Sequence, residues 1–476
     1  MASTFNCDVR FICLSFFVSA TKSFCRVNAI NILNWYNIYQ KYLLLTLLYI
    51  SEIICVFMLR SMVLDNFQSF DHIELDLTGK NRTVKNHAFI YGENGSGKSN
   101  LINAMFLLLV SSGTIRRDTD SAASIDPTGS DESLAELVRA LRMIDCEGNT
   151  RLDFIFAFNG SDARYVLEFN AAGTLVRECL SNKINSRKGI LYRLEEGNEP
   201  YFVRGLIKDK RFRDKIRSEL AQYWGNRSLL GILNEDIRGS NRQFIDDNVN
   251  PNLLSFIDGI NSITVESKMF LITKKGQIRL PSGTIPSEDA EKLDVVEKML
   301  SKFFSRLYSD VTGAYFRREI QNGRMDYELF FRKRISGKVR EIPADWESTG
   351  TKNMMNVMGS LLSCVAGGCV FVDEMDTGVH DLLITSVMEQ TIPEIKGQLI
   401  ATTHNTCLMD TLSADNVYVI GIDRNGFKKI RCVSSIERIR PQNSIRHKYY
   451  EGNLMGIPYI ANLDLDSIAE IGKEDE

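Results

Sequence analysis

A glycine-rich segment at residues 92–99 carries the residue types that bind phosphate groups. Its sequence is Gly92-Glu93-Asn94-Gly95-Ser96-Gly97-Lys98-Ser99, and Asn100 follows it. Glycines allow backbone angles that turn successive N–H groups toward one point, where they can bind phosphate oxygens at a helix N-terminus. A lysine there can pair with the β- and γ-phosphates, and a serine hydroxyl can ligate Mg²⁺. Residues 92–100 are therefore predicted to bind ATP, and residues 92–99 are called the P-loop below.

Two carboxylates follow an apolar stretch much further along the chain. Asp373 and Glu374 come directly after Cys369–Val372. A buried strand ending in this pair would place Asp373 beside Mg²⁺, with Ser99 as the second protein ligand, and would leave Glu374 able to polarise an attacking water. Alone, such a pair more often marks a strand end at the surface, but a P-loop in the same chain favours the catalytic interpretation.

His404 follows the next apolar stretch, Gln398–Thr402. A histidine in that position could contact the γ-phosphate and sense its presence, although a lone histidine at a strand end usually caps the strand or lies at the surface. Its place after the Asp-Glu pair favours the functional interpretation. Lys98, Glu374 and His404 are the predicted catalytic residues.

The patterns around these residues predict the elements that position them. His87–Tyr91 is a short apolar strand that enters the P-loop, and the spacing of apolar residues in Asn100–Val110 predicts a helix that leaves it. Further strands are predicted at Cys369–Val372 and Gln398–Thr402, with a helix near Asp381–Gln390 between them. This alternation predicts an α/β core. A chance P-loop match would require both flanking elements to be accidental.

Alternating apolar and polar residues predict antiparallel strands outside this core. The predicted strands are Leu59–Asp65, His72–Leu77, a hairpin of Arg151–Phe158 with Ala163–Phe169, and a second hairpin of Tyr327–Arg332 with Gly337–Ile342. Residues 200–310 are predicted to be mainly helical, without the sustained heptads of a coiled coil.

The composition is that of a soluble globular protein, with 44% hydrophobic and 25% charged residues among 476. A net charge of −3 gives no general attraction to nucleic acid. The ten cysteines form no zinc-like pairs, which predicts free thiols in a reducing compartment, the cytoplasm.

Residues 1–57 are unusual, because they are rich in Phe, Leu, Ile, Asn and Tyr and contain no glycine or proline. The apolar run Tyr42–Phe57 is short for a membrane helix and is interrupted by Glu52. The favoured interpretation is that translation starts at Met58 or Met62. A membrane anchor and a soluble helical extension remain the alternatives, and a membrane partner is expected only if residues 1–57 are part of the protein.

In their order along the chain, the P-loop, the Asp-Glu pair and His404 resemble the ABC-type ATPase clade. That clade carries a signature motif on a helix before the Asp-Glu strand, and residues 348–352 (Ser348-Thr349-Gly350-Thr351-Lys352) occupy this position, although they depart from the usual Ser-Gly-Gly-Gln/Glu. The resemblance implies that Ser348 and Gly350 bind the ATP held by another subunit, and hence an ATP-dependent homodimer or higher even-numbered oligomer. A simple N-cap serine explains the same residues.

Other segments resemble a narrower group. Asn66–Phe70 is similar to the opening of the RecF/SMC-like proteins, and Met375–His380 resembles the dimer-contacting loop of overcoming-lysogenization-defect and abortive-infection ATPases. Residues 440–459 resemble the C-terminal ending of stand-alone bacterial AAA/ABC ATPases found in phage-defence operons. The glutamine that ABC proteins place between the P-loop and the signature has three candidates here, Gln222, Gln243 and Gln277.

This resemblance implies an α/β fold of the ABC-type ATPase head, with an antiparallel β subdomain and a mainly helical insertion. The predicted division is an extension at 1–57, an N-terminal lobe at 58–199, the insertion at 200–310, a C-terminal lobe at 311–460 and an acidic tail at 461–476. The length and the insertion argue against a transporter ATPase, and the missing heptads argue against a chromosome-organising protein. Only residues 405–476 follow His404, too few for an added nuclease domain.

The favoured function is an ATPase that senses or gates a separate effector, such as a nuclease or toxin, in defence against phage. The alternative is a RecF/SMC-like DNA-binding ATPase in repair or recombination, and a third possibility is a scaffold that binds ATP without turnover. Two basic stretches, 204–217 and 332–340, could bind DNA or RNA, although either could also be an ordinary solvated face.

Overall fold

Six strands form the central sheet of the fold. They are β3 (His87–Gly92), β9 (Thr264–Glu266), β14 (Cys369–Val372), β15 (Gln398–Thr402), β16 (Val417–Ile422) and β17 (Lys428–Cys432). Their order is β17-β16-β3-β15-β14-β9, and all neighbours are parallel except β16 and β17. The computed structural model describes residues 57–115, 132–158, 160–184, 187–267, 280–321, 323–436, 444–457 and 465. The remaining residues, which include 1–56, Gln277, 440–443, 458–459 and nearly all of the predicted acidic tail, lie outside the described part.

A seven-stranded antiparallel sheet provides the β subdomain. Its strands are β1 (Met58–Phe67), β2 (Phe70–Asp76), β4 (Thr150–Phe158), β5 (Ser161–Phe169), β6 (Leu175–Ile184), β7 (Arg187–Glu195) and β8 (Tyr201–Phe202), in the order β2-β1-β4-β5-β6-β7-β8. The predicted hairpin of β4 and β5 is confirmed. Phe57, which the prediction assigned to the N-terminal extension, is buried and stacks on Phe156 at a ring-centroid distance of 4.6 Å.

A third sheet lies in the C-terminal half of the chain. Its strands are β10 (Ser282–Pro286), β11 (Val311–Gln321), β12 (Arg324–Ile335) and β13 (Lys338–Pro343), with β12 pairing with all three others. The predicted hairpin of β12 and β13 is confirmed.

The helices cover the sheets. They are α1 (Lys98–Ser111), α2 (Glu132–Leu141), α3 (Lys210–Tyr223), α4 (Leu229–Gly239), α5 (Arg242–Asn248), α6 (Pro251–Ser262), α7 (Ala290–Leu307), α8 (Thr349–Val365), α9 (Asp381–Thr391), α10 (Val433–Ile436) and α11 (Ile445–Tyr450). None of the described helices is long and apolar enough to cross a membrane.

Both faces of the central sheet are buried, which explains why its strands are apolar throughout. Along β3, Ile90 packs with α1 and the antiparallel sheet, while Phe89 and Tyr91 pack with α8 and α9 on the opposite face. The side chains on the two faces of the central sheet thus belong to two hydrophobic cores, and the sheet lies between these cores. The predicted α/β fold with an antiparallel β subdomain is confirmed.

The segment 200–310 contains α3 to α7, but it also contains three strands that the pattern did not predict. β8 pairs with β7 in the antiparallel sheet, β9 pairs with β14 as the edge of the central sheet, and β10 pairs with β12. All three strands are short, and two to five residues show too little alternation to predict a strand. The mainly helical segment thus contributes a strand to each of the three sheets.

Helix α4 of this segment and its N-cap are hydrogen-bonded to the C-terminal end of α1, the helix that begins at the P-loop. Ser228 Oγ donates to the carbonyl of Ser111 at 2.5 Å, and Asn234 Nδ2 donates to the carbonyl of Ser112 at 2.9 Å. Arg238 Nη1 donates to the carbonyl of Gly113 at 2.9 Å. These donors satisfy carbonyls that the end of α1 leaves without helical partners, so the segment 200–310 fixes the far end of the helix that begins at the P-loop.

Candidate nucleotide site

The P-loop connects β3 to α1 through a turn that requires glycine. Gly97 is the N-cap of α1 and has a φ of 100°, in the left-handed region. A Cβ at this position would lie 2.6 Å from ring atoms of Phe70. Gly97 is therefore needed both for its backbone angle and for the close approach of the β1–β2 turn.

Lys98 lies inside the loop and binds its carbonyls. Its Nζ donates to the carbonyl of Gly92 at 2.9 Å and to that of Glu93 at 3.1 Å. Burial lowers the pKa of Lys98, while the carboxylates of Glu374 and Asp373 act in the opposite direction. The ammonium is thus placed between the P-loop and the acidic residues at the end of β14.

Ser96 is buried in the same loop, and its Oγ has no hydrogen-bond partner among the residues that the structure describes. Buried hydroxyls are usually paired. An unpaired donor beside the N-terminus of α1 fits a loop that binds phosphate oxygens.

Asp373 lies next to the P-loop although 274 positions separate it from Ser99. Ser99 Oγ donates to Asp373 Oδ1 at 3.1 Å, and Thr402 Oγ1 donates to the same oxygen at 2.7 Å. The carboxyl ends of parallel strands share one edge of a sheet, and β3, β15 and β14 are neighbours. A carboxylate beside a serine hydroxyl provides the hard oxygen ligands that Mg²⁺ prefers, so Ser99 and Asp373 fit the ion predicted from the sequence.

Glu374 has a strained backbone, with a φ of 47°. Its N–H donates to Thr402 Oγ1 at 2.7 Å, and Thr377 Oγ1 donates to its carboxylate at 3.2 Å. The left-handed conformation costs a non-glycine residue about 1–2 kcal/mol, and such strain is concentrated at functional sites. The left-handed conformation turns the backbone sharply after Asp373, so that the carboxylates of Asp373 and Glu374 occupy different positions.

His404 is exposed two residues beyond the end of β15. Its N–H donates to Asp376 Oδ2 at 3.1 Å. Burial, followed by the positive charge of Lys98, lowers the pKa of His404. The lowered pKa favours the neutral imidazole, in which one ring nitrogen donates and the other accepts a hydrogen bond.

Ser348 and Gly350 lie apart from the P-loop. Ser348 is the N-cap of α8, and its Oγ accepts from the N–H of Thr351 at 3.2 Å. A Cβ on Gly350 would lie 2.1 Å from the carbonyl oxygen of Gly378. In the described part of the chain, no hydrogen bond joins Ser348 or Gly350 to residues 92–100, so the signature segment packs on the loop after Glu374 instead.

A family model described as "AAA domain, putative AbiEii toxin, Type IV TA system" matches residues 88–410, well over half of the chain. The chain belongs to this family. The matched segment runs from β3 to just beyond His404 and contains every predicted site residue. The resemblance to stand-alone AAA-family ATPases of abortive-infection type is confirmed by this match.

The solved structures that the chain matches share little sequence with it. The SMC head domain from Thermotoga maritima is 15% identical, covers 79% of this chain and 98% of its own, and has a TM-score of 0.35. An Smc head with an extended coiled coil, bound to the C-terminal domain of ScpA from Pyrococcus furiosus, is 13% identical with coverages of 88% and 99% and a TM-score of 0.39. The recombination mediator protein RecF is 14% identical with coverages of 79% and 98% and a TM-score of 0.35. No curated protein sequence matches the chain.

Several residues around this AAA-family site were missed in the sequence. Thr402 contacts both Asp373 and Glu374. Its place at the end of the strand before His404 could have indicated that it belongs to the site. Lys428 Nζ lies 2.6 Å from the carbonyl of Gly95 and 2.7 Å from Ser69 Oγ, and nothing in its local sequence indicates this position. Asn100, predicted to contact nucleotide, donates its Nδ2 to Ser69 Oγ at 2.7 Å.

Two of the three candidate glutamines lie in the described part of the chain. Gln222 is exposed on α3 and Gln243 is exposed on α5, and neither is hydrogen-bonded to the P-loop in the part that the structure describes. Gln277 lies outside the described residues.

Proposed function

We propose that this AAA-family chain binds ATP with Mg²⁺ at the P-loop and hydrolyses it to ADP and phosphate. The observation that carries the proposal is the contact of Ser99 with Asp373, which places Glu374 and His404 at the same edge of the sheet. The unpaired Ser96 hydroxyl and the buried ammonium of Lys98 support it. Residues 92–100 would surround the phosphates.

Each side chain has a distinct role in this proposal. Lys98 donates its third N–H to a phosphate oxygen, because the carbonyls of Gly92 and Glu93 accept the other two. Mg²⁺, bound by Ser99 and Asp373, would neutralise charge on the β- and γ-phosphates. Glu374 accepts a proton from the attacking water.

His404 supplies the last of these groups. As a neutral imidazole it contributes a hydrogen bond rather than a second positive charge. Its backbone is tied to Asp376, so a displacement of His404 is transmitted to the loop that follows Glu374.

We further propose that a second copy of the chain completes the site. Ser348 is exposed at the N-terminus of α8, and in the described residues its hydroxyl is hydrogen-bonded to Thr351 and not to its own P-loop. Its hydroxyl and the backbone N–H groups of the first turn, including that of Gly350, can bind a γ-phosphate presented by another subunit. Reciprocal contacts of this kind give a homodimer or a higher even-numbered oligomer.

The proposed role is to sense a signal and gate a separate nuclease or toxin in the cytoplasm, in antiphage defence. The family description supports this role over DNA repair. Nucleic-acid binding is less favoured, because one cation in each basic stretch is already paired within the chain: Lys215 with Asp236 at 2.6 Å, and Lys333 with Glu347 at 3.0 Å. A cation already paired contributes less to phosphate binding.

ATP turnover of the wild type, Glu374→Gln and Glu394→Gln tests the proposal. Glu394 is exposed beyond α9 and provides the control for loss of one carboxylate. The wild type and Glu394→Gln should hydrolyse ATP, whereas Glu374→Gln should bind it without turnover and be recovered as a dimer by mass analysis. Turnover that survives Glu374→Gln contradicts the catalytic assignment. ATP binding without any turnover that depends on Glu374 would indicate a scaffold.

A further inference from the structure

Lys428 lies on β17, the edge strand of the central sheet, and contacts the outside of the P-loop. It is separated by 333 positions from Gly95, whose carbonyl oxygen is 2.6 Å from the Lys428 ammonium. The same ammonium donates to Ser69 Oγ at 2.7 Å, and Ser69 in turn accepts from Asn100 on α1. This chain of contacts joins β17, the β1–β2 turn and the P-loop helix.

A loop that binds phosphates must turn its carbonyl oxygens away from the ligand, because they would repel it. Lys98 binds two of these carbonyls, those of Gly92 and Glu93. Its third N–H donor remains available for a phosphate oxygen. The carbonyl of Gly95 is bound instead by Lys428, which belongs to β17 and not to the loop itself.

We propose that Lys428 is a positioning residue of the nucleotide site, which keeps the Gly95 carbonyl turned outward while Lys98 donates to the phosphates of ATP. The proposal rests on the proposed function. A trans peptide points its C=O and N–H in opposite directions, so fixing the Gly95 carbonyl also fixes the direction of the next N–H in the loop. Lys428 thereby lowers the cost of ordering the P-loop around its ligand.

The surroundings of Lys428 support this role. Its ammonium lies 6.0 Å from the centroid of the Phe70 ring, which itself packs against Gly97. The side chain is half-buried, and burial lowers the pKa of Lys428 while the charge of Glu93 raises it. Lys429, the next residue of the strand, is exposed and points to the opposite side because successive side chains alternate.

The test compares Lys428→Met, Lys428→Arg and Lys429→Met with the wild type. Lys428→Met keeps the aliphatic stem and removes the charge, and Lys429→Met removes an equal charge one position away. The first measurement is amide hydrogen exchange of the P-loop without nucleotide, which requires no ATP binding. The second is the dissociation constant for a fluorescent ATP analogue, together with kcat and KM.

A hydrogen bond to a charged group corresponds to roughly 10- to 100-fold in an equilibrium constant. Lys428→Met is therefore expected to speed exchange at Gly95–Gly97 and to weaken ATP binding and raise KM by about tenfold or more, with kcat changed less than about twofold. Lys428→Arg should recover most of the affinity, and Lys429→Met should match the wild type.

Equal exchange and equal affinity in Lys428→Met and Lys429→Met overturn the proposal. A loss confined to kcat also overturns it, because the P-loop would then be correctly ordered without Lys428. If the wild-type protein binds no ATP, the proposed function is refuted, and so is the proposed effect of Lys428 on ATP affinity. The exchange measurement separates the two failures, because it reports the Lys428 contact in the absence of nucleotide.

Discussion

Gly350 and Gly359 lie on the same helix, α8, and alanine at these positions should change stability in opposite directions. A Cβ on Gly350 would lie 2.1 Å from the carbonyl oxygen of Gly378 and 3.0 Å from its carbon, both backbone atoms. A Cβ on Gly359 would have no atom within 4 Å. The first change requires the loop after Glu374 to move, whereas the second changes only the helix.

The expected magnitudes follow from these contacts. Alanine in place of glycine within a helix favours folding by about 0.5–1 kcal/mol, which is the expected gain for Gly359→Ala. At Gly350 this gain is exceeded by overpacking, which costs about 1–3 kcal/mol, so a net loss of about 1–2 kcal/mol is expected. The loop cannot move freely, because Asn353 Nδ2 donates to the carbonyls of Met375 and Thr377 at 3.1 and 3.2 Å.

Denaturant unfolding measures the free-energy changes, and steady-state ATP turnover reports the site. Gly350→Ala should also lower turnover, because the displaced loop carries Asp376, to which the backbone of His404 is bonded. Gly359→Ala should leave turnover unchanged. If both variants change stability with the same sign, the close packing of α8 on the loop is not as described, and the reasoning from it is wrong.

Three further predictions concern other parts of the site. Gly456→Ala should destabilise the fold by about 2–4 kcal/mol in thermal melts, and Gly452→Ala by only about 1 kcal/mol. Both glycines have a positive φ (71° and 78°), which costs a residue with a side chain. Only at position 456 would the added Cβ also lie 2.5 Å from a valine side chain. Thr402→Val should lower ATP turnover at least about tenfold, because Asp373 loses the donor at 2.7 Å; unchanged turnover would contradict this. Burial raises the pKa of Glu266 to about 7, so the folded state keeps its proton while the unfolded state loses it near pH 4.5, and stability falls as pH rises between these values. Glu266→Gln should remove that fall, raising the unfolding free energy at pH 8 by at most about 3 kcal/mol with little change at pH 4.

The P-loop and its flanking elements could be predicted from the sequence because they are encoded locally. The glycines at 92–97 specify backbone angles, and the apolar residues on each side specify a strand and a helix by their spacing. The strands before Asp373 and His404 were predicted for the same reason, and so were the hairpins β4–β5 and β12–β13. The order of these motifs along the chain then indicated the family, which the match over residues 88–410 confirms.

The contacts between these elements were decided by the tertiary structure. Ser99 lies beside Asp373 because β3 and β14 are both parallel neighbours of β15, so that their carboxyl ends are at the same edge of the sheet. Lys428 contacts Gly95 because β17 is the edge strand and lies beside the β1–β2 turn. The strand β9 was not predicted, since three residues acquire their conformation from the neighbouring β14 rather than from their own sequence. Local patterns determine backbone angles and buried faces, whereas strand order depends on contacts between residues hundreds of positions apart. The sequence alone therefore determined which groups could bind phosphate, and the assembled sheet decided which of them lie together.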